Sequence, residues 1–208
     1  MAQFFSVHAE NPQPRLIRQA VEIIRNGGLV AFPTDSAYAI GCQLGNASAM
    51  ERIRRIRGVD ERHHFTLLCR DLSEIATYAR VDNVQYRLLK ATTPGSYTFI
   101  LMATKELPRR ILHPKRKTIG LRVPDNTVVQ ALLSELNEPL LSATLIPSGE
   151  EEPLSDPYDI RERLEREVDL VIDAGPCRPG ATTVIDLTEG TPRLLRTGRG
   201  DLAPLGLD

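Results

Sequence analysis

The chain switches repeatedly between two hydrophobic periods. Ile17, Ala20, Val21 and Ile24 recur at three- and four-residue spacing. This predicts a helix opened by Asn11 with Pro12 and stopped by Gly27-Gly28. Leu29 to Phe32 is short and continuously apolar, as a buried strand is. Helical spacing over Asn46 to Arg57 turns Met50, Ile53 and Ile56 inward and arginines outward. Phe65 to Cys69 reads as a short buried strand. Asp71 and Glu74 have the spacing of a capping box for the next helix. Asn83 to Ala91 predicts another helix, halted by Thr92-Thr93-Pro94-Gly95. Tyr97 to Ala103 and Thr118 to Val123 predict strands. Thr127 to Leu136 predicts a helix with Val128, Ala131, Leu132 and Leu136 inward, and Leu140 to Leu145 a strand. Asp156 to Glu167 reads as a charged surface helix. Val168 to Ile172, Thr182 to Leu187 and Pro192 to Arg196 are the last predicted strands. Strands alternate with helices in places and follow one another directly in others. The expectation is therefore a single α/β domain over residues 1–208 with a twisted mixed sheet and flanking helices.

Length and composition agree with this pattern. At 208 residues, with 41% hydrophobic and 25% charged, the chain can bury a substantial core. No apolar run approaches the roughly 18 residues of a membrane span. The start, Met1-Ala2-Gln3-Phe4-Phe5-Ser6, lacks the features of a signal peptide. Cys42, Cys69 and Cys177 lack CxxC spacing and read as reduced thiols, which points to a cytoplasmic protein.

The net charge of −1 hides a segregated distribution. Lys105, Arg109, Arg110, Lys115, Arg116, Lys117 and Arg122 lie close together in the chain, as do Arg52, Arg54, Arg55, Arg57 and Arg62. Acid gathers after Glu150. Such clusters are either solvated faces or local polyanion sites. With Trp 0, Tyr 5 and Phe 5, few aromatics interleave them. That favours phosphate contact or shape recognition over base stacking.

Candidate chemistry sits at strand ends, where open α/β sheets place their ligands. Phe32-Pro33-Thr34-Asp35-Ser36-Ala37-Tyr38-Ala39-Ile40-Gly41 follows a buried strand. Read alone, it is a capped turn in which Asp35 bonds its own backbone. Arg122, between Leu121 and Val123, must reach solvent or find an anion. The glycine pieces fit neither GxGxxG nor GxxxxGK[ST], and His8, His63, His64 and His113 lack metal-ligand spacing. No Ser/His/Asp or Cys/His order recommends a nucleophilic hydrolase.

Three segments together resemble the YrdC/YciO family: the Thr34 segment, Gly120-Leu121-Arg122-Val123-Pro124-Asp125, and Thr182-Thr183-Val184-Ile185-Asp186-Leu187. The resemblance runs from about Leu16 to Arg196 and implies one α/β domain around a concave, positively charged cavity. It also implies a reaction. The YrdC branch makes threonylcarbamoyl-adenylate from L-threonine, bicarbonate and ATP, for tRNA modification. By that resemblance Thr34, Ser142 and Thr182 contact threonine, and Arg122 holds its carboxylate, a ligand suited to a planar fork. Arg57, Thr98, Thr144 and Arg196 meet the nucleotide, with Arg57 and Arg122 the cations of catalysis. ATP enters with Mg2+ as substrate, and no permanent cofactor is implied. A pure ligand-holding role for Arg122 predicts that Arg122→Ala weakens binding with the melting temperature nearly unchanged.

Two synthase motifs are broken, which places the chain closer to the YciO branch. Where synthases carry Lys-x-Arg, this chain has Arg57-Gly58-Val59, with Arg62 or His63 as candidate replacements. Where they carry Ser-Thr-Ser-Ala-Asn, it has Ser142-Ala143-Thr144-Leu145-Ile146. A weak synthase is thus one expectation. A binder of double-stranded RNA or tRNA, using Arg52, Arg55, Lys115, Arg116 and Lys117, is the alternative.

Overall fold

The structure is a computed structural model that describes residues 1–60, 63–112, 115–178 and 180–206. Arg62 and His113 lie outside the described residues. The strands are β1 (Gln3–Ser6), β2 (Val30–Phe32), β3 (Ala39–Gln43), β4 (Thr66–Leu68), β5 (Tyr97–Met102), β6 (Thr118–Arg122), β7 (Leu140–Thr144), β8 (Leu170–Asp173), β9 (Thr183–Asp186) and β10 (Arg193–Arg196). They form one ten-stranded sheet in the order β1-β8-β2-β3-β7-β4-β6-β5-β9-β10. Pairings are mixed. β1–β8, β2–β8, β4–β6 and β5–β9 are parallel and the others antiparallel. The helices are α1 (Pro14–Arg25), α2 (Ala47–Arg57), α3 (Leu72–Tyr78), α4 (Asn83–Thr92), α5 (Thr127–Leu136) and α6 (Pro157–Leu164). Among the described residues no helix is long and apolar enough to cross a membrane.

Strand alternation splits the core between the two faces of the sheet. Val30, Phe32, Leu68, Leu140, Leu170 and Ile172 pack with α1 and α5. Leu29, Ala31, Leu67, Leu141 and Val171 pack with Met50, Ile53 and Ile56 of α2 on the other side. The apolar stripes expected on α1 and α2 are buried. In α5, Val129 and Leu133 are also buried, while Ala131 is only half-buried.

Several ends differ from the sequence reading. α1 begins at Pro14 after Gln13, not at Asn11 with Pro12. The Gln13 side chain is engaged instead, accepting from the His8 N–H at 3.1 Å. Asp71 caps α3 by accepting from the Glu74 N–H. Glu74 reaches back to the Arg70 N–H at 2.6 Å rather than to Asp71, so the box closes one residue early. The complete capping box is Asp82 with Gln85, at α4. α6 stops at Leu164. β1 and β3 were not expected. β3 is central and buried on both faces, so its sequence, Ala39-Ile40-Gly41-Cys42-Gln43, does not alternate.

Candidate functional site

The cavity floor follows from cross-strand register. Ser142 pairs with Thr66, Thr66 with Gly120, Gly120 with Ile100 and Ile100 with Asp186. Paired residues point to the same side of a sheet. One row therefore crosses five strands, β7-β4-β6-β5-β9, with hydroxyls, a glycine and a carboxylate on one face. The alternate positions Thr98, Thr118, Arg122, Thr144 and Val184 line the same cavity, whose volume is about 560 Å³. Gly120 leaves the floor open, since a Cβ there would come within 3.3 Å of the Thr98 methyl and 3.5 Å of the Thr66 hydroxyl. Arg57, His63, His64, Arg116 and Arg196 bring the basic side chains, and Asp186 is the one carboxylate among the described lining residues.

Arg122 is buried at the end of β6, and its anion is Asp35. Their Nη2–Oδ1 distance is 2.5 Å, with side chains 8% and 9% exposed. Ser96, which follows the Thr93-Pro94-Gly95 turn, donates to the other Asp35 oxygen at 3.0 Å. Asp35 is thus an ion-pair partner 87 positions from Arg122, not the turn residue expected. The turn belongs to Thr34. Its Oγ1 accepts from the N–H groups of Ser36 and Ala37 at 3.1 and 3.2 Å and donates to the Ala37 carbonyl at 2.6 Å. Burial pulls the Arg122 basicity down, and Asp35 opposes that shift. The Arg122 Nε is buried and has no hydrogen-bond partner among the described residues.

Thr182 and Thr98 share a hydrogen bond of 2.8 Å across the β5–β9 edge. Arg196 bridges onto the same residue, donating from Nε to the Thr182 carbonyl and from Nη2 to its hydroxyl, both at 3.2 Å. Ser142 donates to the Thr66 carbonyl at 3.1 Å. Asp186 accepts from the Thr188 hydroxyl at 2.6 Å and from Arg193 at 3.3 Å, with Arg116 3.9 Å away. Burial raises the Asp186 carboxyl, but these donors outweigh it and hold the group below its ordinary value.

Arg57 ends α2, and Gly58 terminates the helix at φ 62. A Cβ on Gly58 would overlap the Ser148 hydroxyl and lie 3.3 Å from the Ser148 Cα. Close approach of the Ser148-Gly149 turn to this helix end therefore sets where Arg57 stands. Burial lowers the Arg57 basicity.

The structure thus gathers Arg57, Thr98, Arg122, Ser142, Thr144, Thr182 and Arg196 in one cavity. Thr34 borders a smaller neighbouring cavity of about 210 Å³ with Asp35, Cys177 and Arg199, so the Asp35–Arg122 pair stands between the two. Arg52 and Arg55 lie elsewhere. Arg52 pairs with Asp169 at 2.8 Å and Arg55 with Glu167 at 3.6 Å. Lys115, Arg116 and Lys117 are exposed, with Arg116 on the cavity lining. Ile146 lines the cavity, whereas Val59 donates its N–H to the Arg54 carbonyl and is absent from the lining. Sequence reasoning missed Ser36, Thr66 and Thr118. Thr66 pairs in register with Ser142, Thr118 lies two residues before Gly120 on β6, and Ser36 sits in the turn between β2 and β3.

Residues 22–198 match the Sua5/YciO/YrdC family model, described as telomere recombination. The YciO protein of Escherichia coli (strain K12) is 57% identical over 204 residues, covering 98% of this chain and 99% of that protein. The E. coli YciO crystal structure superimposes with a TM-score of 0.94, covering 99% of this chain and 100% of that one. The threonylcarbamoyl-AMP synthase of Pyrococcus abyssi is 29% identical over 184 residues, covering 88% of this chain and 54% of that protein. The crystal structure of P. abyssi Sua5 complexed with L-threonine matches at 28% identity and a TM-score of 0.85, covering 94% of this chain and 57% of that one. A sheet of this order and a cavity built on its register, together with these matches, place the chain in the Sua5/YciO/YrdC family.

Proposed function

We propose that the cavity makes threonylcarbamoyl-adenylate from L-threonine, bicarbonate and ATP, at a low rate. The threonine amine attacks bicarbonate and releases water, giving a carbamate. A carbamate oxygen then attacks the α-phosphorus of ATP and displaces pyrophosphate. The observation that carries this reading is Arg122, a buried guanidinium on the cavity lining held from one side by Asp35. A carboxylate is the ligand such a fork suits. Threonine bound to a relative of the same fold supports the assignment. Thr98, Thr182 and Arg196 form one hydrogen-bonded unit beside it, and Arg57 supplies positive charge from the α2 end. Catalysis is then positioning and charge neutralisation. Among the described residues no cluster of three or more His, Cys, Asp or Glu could hold a metal. Magnesium in this reading arrives with the phosphates of the substrate, ATP. A pyrophosphate-release assay with ATP, bicarbonate and each amino acid in turn tests the assignment, and release with threonine above all others is expected.

The low rate has a local cause. Ile146 puts an alkyl group in the cavity wall where the synthases carry Asn. One charge-assisted hydrogen bond contributes on the order of 1.5–3 kcal/mol. Val59→Arg with Ile146→Asn should raise product formation, and Ile146→Asn alone should give most of the gain, since Val59 is outside the lining. No gain from the double variant, with the circular dichroism unchanged, would show a cavity altered more deeply.

A second reading rests on the exposed Lys115-Arg116-Lys117 run beside the cavity. These cations suit duplex or tRNA-like RNA. Arg52 and Arg55, off the cavity lining, pair with Asp169 and Glu167. Binding should then fall with salt by roughly 0.7–0.9 in log K per phosphate contact for each unit of log salt. Changing all three residues of the run to Ala should flatten the slope by roughly that amount for every phosphate the run neutralises. A slope untouched by that change would remove this reading.

A further inference from the structure

Arg57 has a neighbour that the family motifs do not supply. Its Nη1 lies 2.8 Å from Nε2 of His63. A guanidinium has only donors, so Arg57 donates, Nε2 is the bare ring nitrogen and the ring proton sits on Nδ1. The His63 ring meets Phe65 edge-on, with centroids 5.8 Å apart at 82°. The Arg54 guanidinium covers Phe65 at 5.3 Å. The edge-on contact with Phe65 restricts the imidazole. Burial, followed by the charges of Arg57, His64 and Arg54 and opposed by Asp60, pushes the His63 basicity down to about 4. At neutral pH His63 therefore accepts from Arg57 and brings no charge of its own. The Arg57 Nε is buried and has no hydrogen-bond partner among the described residues.

We propose that His63 is a positioning residue, whose bare Nε2 holds Arg57 by Nη1 and aims its remaining donors at a phosphate-type anion in the cavity. The inference rests on the nucleotide reading above and adds a specific device to it. A flexible arginine at a helix end loses rotamer entropy when it binds, and one already held loses less. The fork keeps its charge, and the histidine fixes its direction.

The test compares wild type, His63→Phe and His63→Gln, each also in an Arg57→Lys background. Calorimetry measures affinity for MgATP and, separately, for inorganic tripolyphosphate. Nitrogen-detected NMR follows the Arg57 guanidinium, assigned by its loss in Arg57→Lys. His63→Phe should weaken both anions about tenfold, the loss of one hydrogen bond to a charged group. It should also average the Arg57 signal. His63→Gln, whose amide oxygen still accepts, should stay within about threefold. In the Arg57→Lys background His63→Phe should change affinity little, which a merely structural role would not produce. Tripolyphosphate uptake without ATP uptake would sink the nucleotide reading, and the tripolyphosphate series would still decide the role of His63. Equal affinities and an unaltered Arg57 signal in His63→Phe, or uptake of neither anion by wild type, would overturn the proposal.

Discussion

Arg122→Ala is expected to abolish threonine-dependent turnover and to lower stability by about 3–5 kcal/mol, the cost of leaving a buried charge unpaired. For a domain of this size that is roughly 6–20 °C in melting temperature. The charge left behind is Asp35, 9% exposed, which among the described residues keeps the Ser96 hydroxyl as its side-chain partner. A purely ligand-holding arginine would leave the melting temperature nearly unchanged. The ion pair replaces that expectation. Removing both partners separates the two roles. Arg122→Ala with Asp35→Asn should recover most of the lost stability, because no buried charge remains, while turnover stays absent. Thermal melting and pyrophosphate release on the three proteins check this. An unchanged melting temperature in the single variant, or restored turnover in the double, would contradict it.

Gly198→Ala should cost about 3 kcal/mol and most of the activity, at the upper end of the roughly 1–3 kcal/mol that overpacking costs. A Cβ at 198 would overlap the Ala181 oxygen and the Thr182 carbonyl carbon. Both obstacles are backbone, so no rotamer change relieves them. Separating the segments also strains the bonds that join them. The Gly198 N–H donates to the Thr183 hydroxyl at 3.0 Å, that hydroxyl donates to the Gly200 carbonyl at 2.7 Å, and the Arg199 N–H donates to the Ala181 carbonyl at 2.9 Å. Thr182 moves with Ala181, and the Thr98–Thr182–Arg196 unit loses its geometry. Gly190→Ala is the control. Nothing lies within 4 Å of its Cβ position. A change below about 0.5 kcal/mol is expected there.

The helices and most strands were legible because their hydrophobic periods are unambiguous, as in Ile17, Ala20, Val21 and Ile24. Arg122 was legible for a related reason, being a charge inside an apolar strand. β3 was not, because burial on both faces removes the alternation that marks a strand. The Asp35–Arg122 pair was hidden differently. An Asp after Thr in a turn-like segment satisfies local rules by itself, and only the fold brings β6 to it. Thr66 and Thr118 join the cavity through pairing register, which no single segment carries. Nothing in the sequence around Gly198 told of the backbone packed against it. His63 stands six positions beyond Arg57, past the end of the helix, where no periodic rule relates the two.

The cavity is proposed to join threonine, bicarbonate and ATP. The most direct measurement is mass spectrometry of the reaction with carbon-labelled bicarbonate, quantifying threonylcarbamoyl-adenylate and pyrophosphate together. Labelled adduct above the protein-free level is expected, in step with pyrophosphate and lost in Arg122→Ala. Pyrophosphate that appears without threonine, or no adduct above the protein-free level, would contradict it.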